Sequence, residues 1–214
     1  MSGGYRLKQT LRIASLLLCA CTVLALTDIA QAQKLDLAFG VSTIDAPGAS
    51  AADSSHSPVS LTGGAYTGFS GDVLVFHNLG FGGEIYWKDS QGPYAAGTLN
   101  VTPFRPLFYD FNAVYSPKLA SHVYLEAVAG IGAQSTRFYC GVNCFDPYTG
   151  TDYSSVNHFM GDFGGGLKLY PTNGGFFVRP EARLYVVNNN QEFSSAHATR
   201  YGVSIGYTFG RHSF

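Results

Sequence analysis

Charge is scarce in this chain. Lys, Arg, Asp and Glu together make up 13% of its 214 residues, about half the usual share of a quarter. A well-solvated helical surface draws on Lys and Glu, so the deficit argues against a helical globular protein. There is no basic excess either. The formal net charge is −1, which argues against a nucleic-acid binder, because phosphates must be met by a basic surface. Beyond residue 32 no apolar run approaches the length of a spanning helix, which removes a helical membrane bundle. What is abundant points the other way. Aromatics reach 14%, with 16 Phe and 14 Tyr beside 26 Gly, a composition that suits strands. Hydrophobic residues at 46% are enough to exclude a disordered chain.

Residues 1–32 read as a cleaved signal peptide. Arg6, Lys8 and Arg12 form a positive start, Ile13 to Leu26 an apolar run, and Ala30-Gln31-Ala32 a small-residue cleavage site. The run is shorter than the ~20 residues a membrane anchor needs. The segment Leu18-Cys19-Ala20-Cys21 matches a lipoprotein signal only weakly. Cleavage lowers Lys+Arg from 13 to 10 and Asp+Glu from 14 to 13, so the mature charge becomes −3. Cys140 and Cys144 then remain, and an even pair in an exported chain most simply forms a disulfide. Two thiols without an adjacent His make a poor metal site.

The remainder divides into eight segments of alternating polarity. They span about 34–44, 67–76, 81–88, 104–115, 122–138, 157–170, 176–187 and 199–209. In the fifth, Val123, Leu125, Ala127, Ala129 and Ile131 oppose Tyr124, Glu126, Gly130, Gly132 and Gln134. In the seventh, Val178, Ala182, Leu184 and Val186 oppose Arg179, Glu181, Arg183 and Tyr185. Short connections, at 77–80, around 116–118 and at 171–175, alternate strictly with long ones at about 45–66, 88–101, 139–156 and 188–198. All long loops therefore lie at one end of an up-and-down sheet, as in outer-membrane barrels.

Alternation does not say which face is outside, since a soluble lipocalin-type barrel also alternates. Three features favour an apolar exterior. The polar face is mostly Gly, Ser and Thr, which suits a narrow lumen better than a water-washed surface. Tyr109, Phe111, Tyr115, Tyr207 and Phe209 read as interfacial girdles, as do Trp87 and Tyr86 near the top of the third segment. The export signal excludes the cytosol. In hydrocarbon every backbone polar group must bond within the protein, and only helices and closed sheets achieve that. Each segment reaches, or nearly reaches, the ~9–11 residues a crossing strand requires. The expected fold is all-β: an eight-stranded antiparallel up-and-down transmembrane barrel over residues 33–209, with a short tail at 210–214.

On these residues the chain resembles the small eight-stranded outer-membrane barrels of diderm bacteria, the OmpA/OmpX/opacity-type family. The most specific part is the last segment, Arg200-Tyr201-Gly202-Val203-Ser204-Ile205-Gly206-Tyr207-Thr208-Phe209. It is similar to the C-terminal signal read by the barrel-assembly machinery, with Gly202, Ile205, Tyr207 and Phe209 at the signal positions. Phe214 is the alternative terminal aromatic, but it would put His212 on the apolar face. The resemblance implies a bacterial outer-membrane location and lipid as the surrounding medium.

The inward face is expected to hold Asp72, Glu84, Asp110, Glu126, Asp162 and Glu181 against Lys88, Lys168, Arg179, Arg183 and Arg200. An eight-stranded barrel is just wide enough to be filled by its own side chains. Unpaired charges there would be costly, so a mutual network that plugs the lumen is expected. The spacing of Arg179, Glu181 and Arg183 puts three charges on one face at ~6.6 Å intervals; its sharper reading is an ion gate. Some small outer-membrane barrels are lipid-modifying enzymes. The nearest nucleophilic set here is Ser194, Ser195 and His197 beside Glu192, without a deacylase-like motif. The glycine clusters at 130–132 and 164–166 sit inside strands and read as lumen packing, not phosphate loops. The expectation is a non-enzymatic barrel without cofactor or metal, structural or adhesive in role. An unknown extracellular partner would meet the long loops, above all that of Cys140 and Cys144. The alternatives are a lipid A deacylase-like enzyme and a soluble periplasmic ligand-binding barrel.

Overall fold

The computed structural model describes residues 34–48, 59–94, 102–139 and 150–210. The signal segment, Cys140, Cys144, His212 and Phe214 lie outside them. The elements are β1 (Lys34–Asp45), β2 (Tyr66–Phe76), β3 (Leu79–Lys88), β4 (Gly92–Tyr94), β5 (Thr102–Tyr115), β6 (Lys118–Ala120), β7 (Val123–Tyr139), β8 (Tyr153–Leu169), β9 (Phe176–Val187) and β10 (His197–Phe209). β4 and β6 are three-residue additions against β5 and β7. The other eight strands each pair antiparallel with two neighbours, and β10 pairs back onto β1. The sheet is closed, so no row of backbone donors and acceptors is left unpaired at an edge.

The stagger of the ring follows from the register. From Leu35 the direct partners run through Val73, Phe81, Ala113, Ala129, Phe163, Leu184 and Thr199, and return to β1 at Asp45, not at Leu35. With a rise of ~3.3 Å and a strand spacing of ~4.8 Å, this offset sets a tilt of about 41° and a backbone radius of about 8 Å. The offset is even, so one circuit keeps the same face outward.

That face is apolar. Phe111 is 74% exposed, Phe81 61%, Ile131 59% and Phe163 52%, while Arg179, Lys168, Arg200 and Glu126 are at most 1% exposed. The cylinder is inside out relative to a soluble protein, whose charged residues are seldom buried.

Several sequence expectations need correction. The eight strands run from 10 to 17 residues. β7 and β8 reach about 40 Å along the axis at ~3.3 Å per residue and this tilt, well beyond the ~25 Å apolar band of such barrels. Tyr115, Tyr207 and Phe209 do lie at the short-turn end. Tyr109 and Phe111 are exposed but sit four to six residues up β5, in the middle of the wall. Tyr86 is not a girdle residue: it points inward and is 1% exposed, while Trp87 faces out. The tight turns place His77 and His122 at positive φ, 53° and 67°, and His122 Nε2 lies 2.7 Å from Asn173 Oδ1 in the neighbouring turn.

Candidate functional site

The inward positions of β1, β2, β3 and β7 to β10 converge on one buried charge cluster. Near the short-turn end, Lys168 on β8 holds Asp36 and Glu126, each at 2.5 Å, with Asp72 at 3.7 Å. Arg179 on β9 reaches Glu126 at 2.7 Å, Asp72 at 3.5 Å and Glu181 at 3.0 Å, and donates to Ser70 and Ser204. Above it, Arg200 Nη2 on β10 donates to both oxygens of Glu84 on β3, and its Nη1 to Glu181. Arg183 takes Glu84 at 3.2 Å and Asp162 at 3.3 Å. Glu181 therefore joins the two tiers.

The tyrosines complete the upper tier. Tyr185 donates to Glu84 and Tyr86 to Glu181. The Arg200 guanidinium lies 3.7 Å from the centre of the Tyr86 ring, close enough for the ring face to stabilise the cation. Room for Tyr86 comes from small neighbours. A Cβ on Gly68 would stand 2.5 Å from the Tyr86 ring and 2.2 Å from the Ile85 carbonyl oxygen. The same holds at Gly164, where a Cβ would meet the Ala182 carbonyl at 2.2 Å.

Register brings like charges together inside the barrel. Asp36 stands directly across from Asp72, Glu84 from Asp110, and Arg183 from Arg200. Such pairs repel. Lys168 bridges the first, and Glu84 itself bridges the two arginines. Asp110 is the exception. Asn112 donates to its Oδ1, and its Oδ2 has no hydrogen-bond partner.

Both ends of the charge cluster are apolar. At the short-turn end Ala38, Tyr124, Tyr170 and Phe177 pack together, beside Leu74, Val114 and Val128. At the long-loop end Phe193 is 4% exposed and lies against Phe104, with ring centres 5.3 Å apart, in a cluster with Leu61, Tyr66, Phe108 and Met160. The β9–β10 loop is held across the mouth: Ser194 bonds Val59 through its amide and Pro47 through its hydroxyl, and Asn190 bonds the Ser195 carbonyl. The inward face is thus aromatic at this end, where Gly, Ser and Thr were expected to dominate.

Of the sequence candidates, Asp72, Glu84, Glu126, Asp162, Lys168, Arg179, Glu181, Arg183 and Arg200 meet in the network. Asp110 is buried beside it. Lys88 stands apart, with its Nζ 5.4 Å from the centre of the Phe104 ring. Asp36 was overlooked among the inward charges, although alternation along β1 places it there. Phe193 was also missed. Its only signal was a large aromatic inside an otherwise polar loop. The Ser/His/Glu set is not assembled as a triad. Ser195 Oγ is 3.3 Å from His197 Nδ1, but Glu192 Oε2 lies 2.6 Å from His158 Nε2 instead. Gly202, Ile205, Tyr207 and Phe209 all lie on β10, which ends at Phe209.

No protein-family model matches the chain, and no curated protein matches it. Solved structures do. Neisserial surface protein A is 10% identical, with 83% of this chain and 97% of that one covered, at a TM-score of 0.56. A major outer membrane protein from Thermus thermophilus is 10% identical, with 83% and 100% covered, at 0.53. Ail, the attachment invasion locus protein of Yersinia pestis, in complex with the heparin analogue sucrose octasulfate, is 12% identical, with 83% and 97% covered, at 0.48. The first two likenesses bear on the fold. With its closed eight-stranded ring, apolar exterior and ionised interior, this chain has the fold of a small bacterial outer-membrane β-barrel.

Proposed function

We propose that the chain is a non-enzymatic outer-membrane barrel with a sealed lumen, and that its role is structural or adhesive and exercised through the long-loop end. The observation that carries this reading is the Arg200–Glu84–Glu181 network, closed above by Phe193 and below by Phe177. A radius of about 8 Å leaves little space once such side chains enter. Moving an ion through would require breaking buried pairs, at about 3–5 kcal/mol for each one disrupted. By the usual arrangement of such barrels, short turns face the periplasm and long loops the exterior. A disulfide between Cys140 and Cys144 would close a short ring in the β7–β8 loop and stiffen that contact surface. The assembly machinery would read β10 through Gly202, Ile205, Tyr207 and Phe209.

Planar-bilayer recording of the purified full chain tests the sealed lumen. The expected trace shows no steady large conductance; a stable open channel overturns the proposal. Cell fractionation tests the location. Heat-modifiable gel migration in the outer-membrane fraction is expected, whereas release by osmotic shock would favour a periplasmic barrel.

A further inference from the structure

A fourth like-charge pair lies on the opposite side of the wall. Arg105 on β5 and Arg137 on β7 are direct cross-strand partners, and both occupy positions in phase with the apolar exterior residues Leu107, Tyr109 and Ile131. Inside the barrel, Lys168 counters the Asp36–Asp72 pair and Glu84 the Arg183–Arg200 pair from across the lumen. The Arg105–Arg137 pair has no carboxylate in contact among the described residues. Arg105 donates from Nε to the Lys88 carbonyl at 2.5 Å and from Nη2 to the Asp89 carbonyl at 3.4 Å. The Asp89 carboxylate is engaged by Thr67 Oγ1. Arg137 is exposed and rests its guanidinium 4.9 Å from the centre of the Tyr153 ring. The two side chains leave the wall as cross-strand neighbours, Arg105 reaching toward β3 and Arg137 toward Tyr153 on β8, and among the described residues no carboxylate offsets their like charge.

Their height specifies what would compensate it. Each lies ten residues along its strand from the Tyr115–Ala127 pair at the short-turn end. At ~3.3 Å per residue and a tilt of about 41°, that is about 25 Å along the axis, the height of the apolar band of outer-membrane barrels. The arginines therefore stand where hydrocarbon gives way to headgroups. Beside them a groove of about 300 Å³ is lined by Ile85, Trp87, Pro106 and Leu107 as well as by both arginines. Trp87 and Ile85 lie below them on the wall, with Ile85 39% exposed.

We propose that Arg105 and Arg137 form a binding site for the phosphate of an outer-leaflet lipid, with one of its acyl chains lying in the groove along Trp87, Ile85 and Leu107. Two arginines lining one groove offer several donors to the acceptor oxygens of a phosphate and give up less hydration than ammonium groups. A lipid is favoured over a soluble anion because the apolar part of the groove is continuous with the cationic part. The site rests on the outer-membrane location proposed above.

Trp87 is the only tryptophan in the chain, so its fluorescence reports on the groove directly. The full chain in detergent micelles is titrated with diphosphorylated lipid A, with the same lipid after dephosphorylation, and with inorganic phosphate. A saturable shift of the Trp87 spectrum is expected with the first probe, at least ten-fold weaker with the second and absent with the third. Arg137→Gln and Arg105→Lys/Arg137→Gln should each weaken the first response at least ten-fold while keeping heat-modifiable migration. Equal responses to the phosphorylated and dephosphorylated lipids, or an unchanged response in the folded variants, would overturn the site. Saturation by inorganic phosphate alone would reassign it to a soluble anion and overturn the lipid claim. Because the titration is done in micelles, it tests the site alone; fractionation tests the location separately.

Discussion

A single nitrogen of Arg200, Nη2, donates to both carboxylate oxygens of Glu84 at 2.7 and 2.9 Å, although 116 residues separate the two in sequence. The contact spans the lumen from β10 to β3 and is fully enclosed. Removing one partner strands a buried charge, whereas removing both does not. Glu84→Gln and Arg200→Met are each expected to lower stability by about 3–5 kcal/mol. The double variant should lose less than the two effects added, by more than about 1 kcal/mol. Urea unfolding of the barrel in micelles measures all three, and strict additivity would show that the pair is not coupled.

Asp110 makes the opposite prediction. It faces Glu84 across the strand pair and has a hydrogen bond on one oxygen only. Asp110→Asn keeps the acceptor for Asn112 and removes the repulsion, so stability should hold or rise. Asp36→Asn, which takes a direct partner from Lys168, should lower stability. The same unfolding experiment compares them. A larger loss for Asp110→Asn than for Asp36→Asn would show that the charge on Asp110 is needed.

The lipid-facing wall is tested at Ile131, which is 59% exposed and lies near mid-height between Phe111 and Gly161. Ile131→Arg should cost about 2–4 kcal/mol when the chain folds into lipid vesicles, the range for a cation at the midplane of such a wall. A change below about 0.5 kcal/mol, typical of a water-facing surface position, would contradict an outward hydrocarbon face.

Gly68→Val should prevent folding. Its Cβ would press on the Ile85 carbonyl and on the Tyr86 ring that stacks with Arg200. Gly161→Ala on the outer wall is the control, since a Cβ there meets nothing closer than 4.0 Å. The first variant should lose heat-modifiable migration and the second should keep it. Normal migration of Gly68→Val would mean that the lumen yields more than its packing suggests.

How much was legible differs from residue to residue. Glu126, Arg179 and Arg183 could be placed on the inward face from alternation alone, because side chains along a strand switch faces with period two. The even and odd sets of β7 and β9 needed no tertiary information. Asp36 obeyed the same rule and could have been counted. Tyr86 was harder, because an aromatic beside Trp87 fits a girdle as well as a lumen. Only its contacts with Arg200 and Glu181 separate the two. Phe193 carried almost no local signal, since its burial comes from a loop folding across the mouth.

The sequence by itself determined that the chain makes crossing strands, which face of each is apolar, and at which end the long connections lie. These are local properties, written in neighbouring residues and in the Gly, Pro and Asn of the turns. The tertiary structure alone decided that the ring closes with a ten-residue offset between Leu35 and Asp45. It also decided which carboxylate meets which arginine, and that Arg105 and Arg137 stand side by side. Those outcomes depend on the register between strands far apart in the chain, and a shift of two residues in any pairing would keep every face while exchanging every partner.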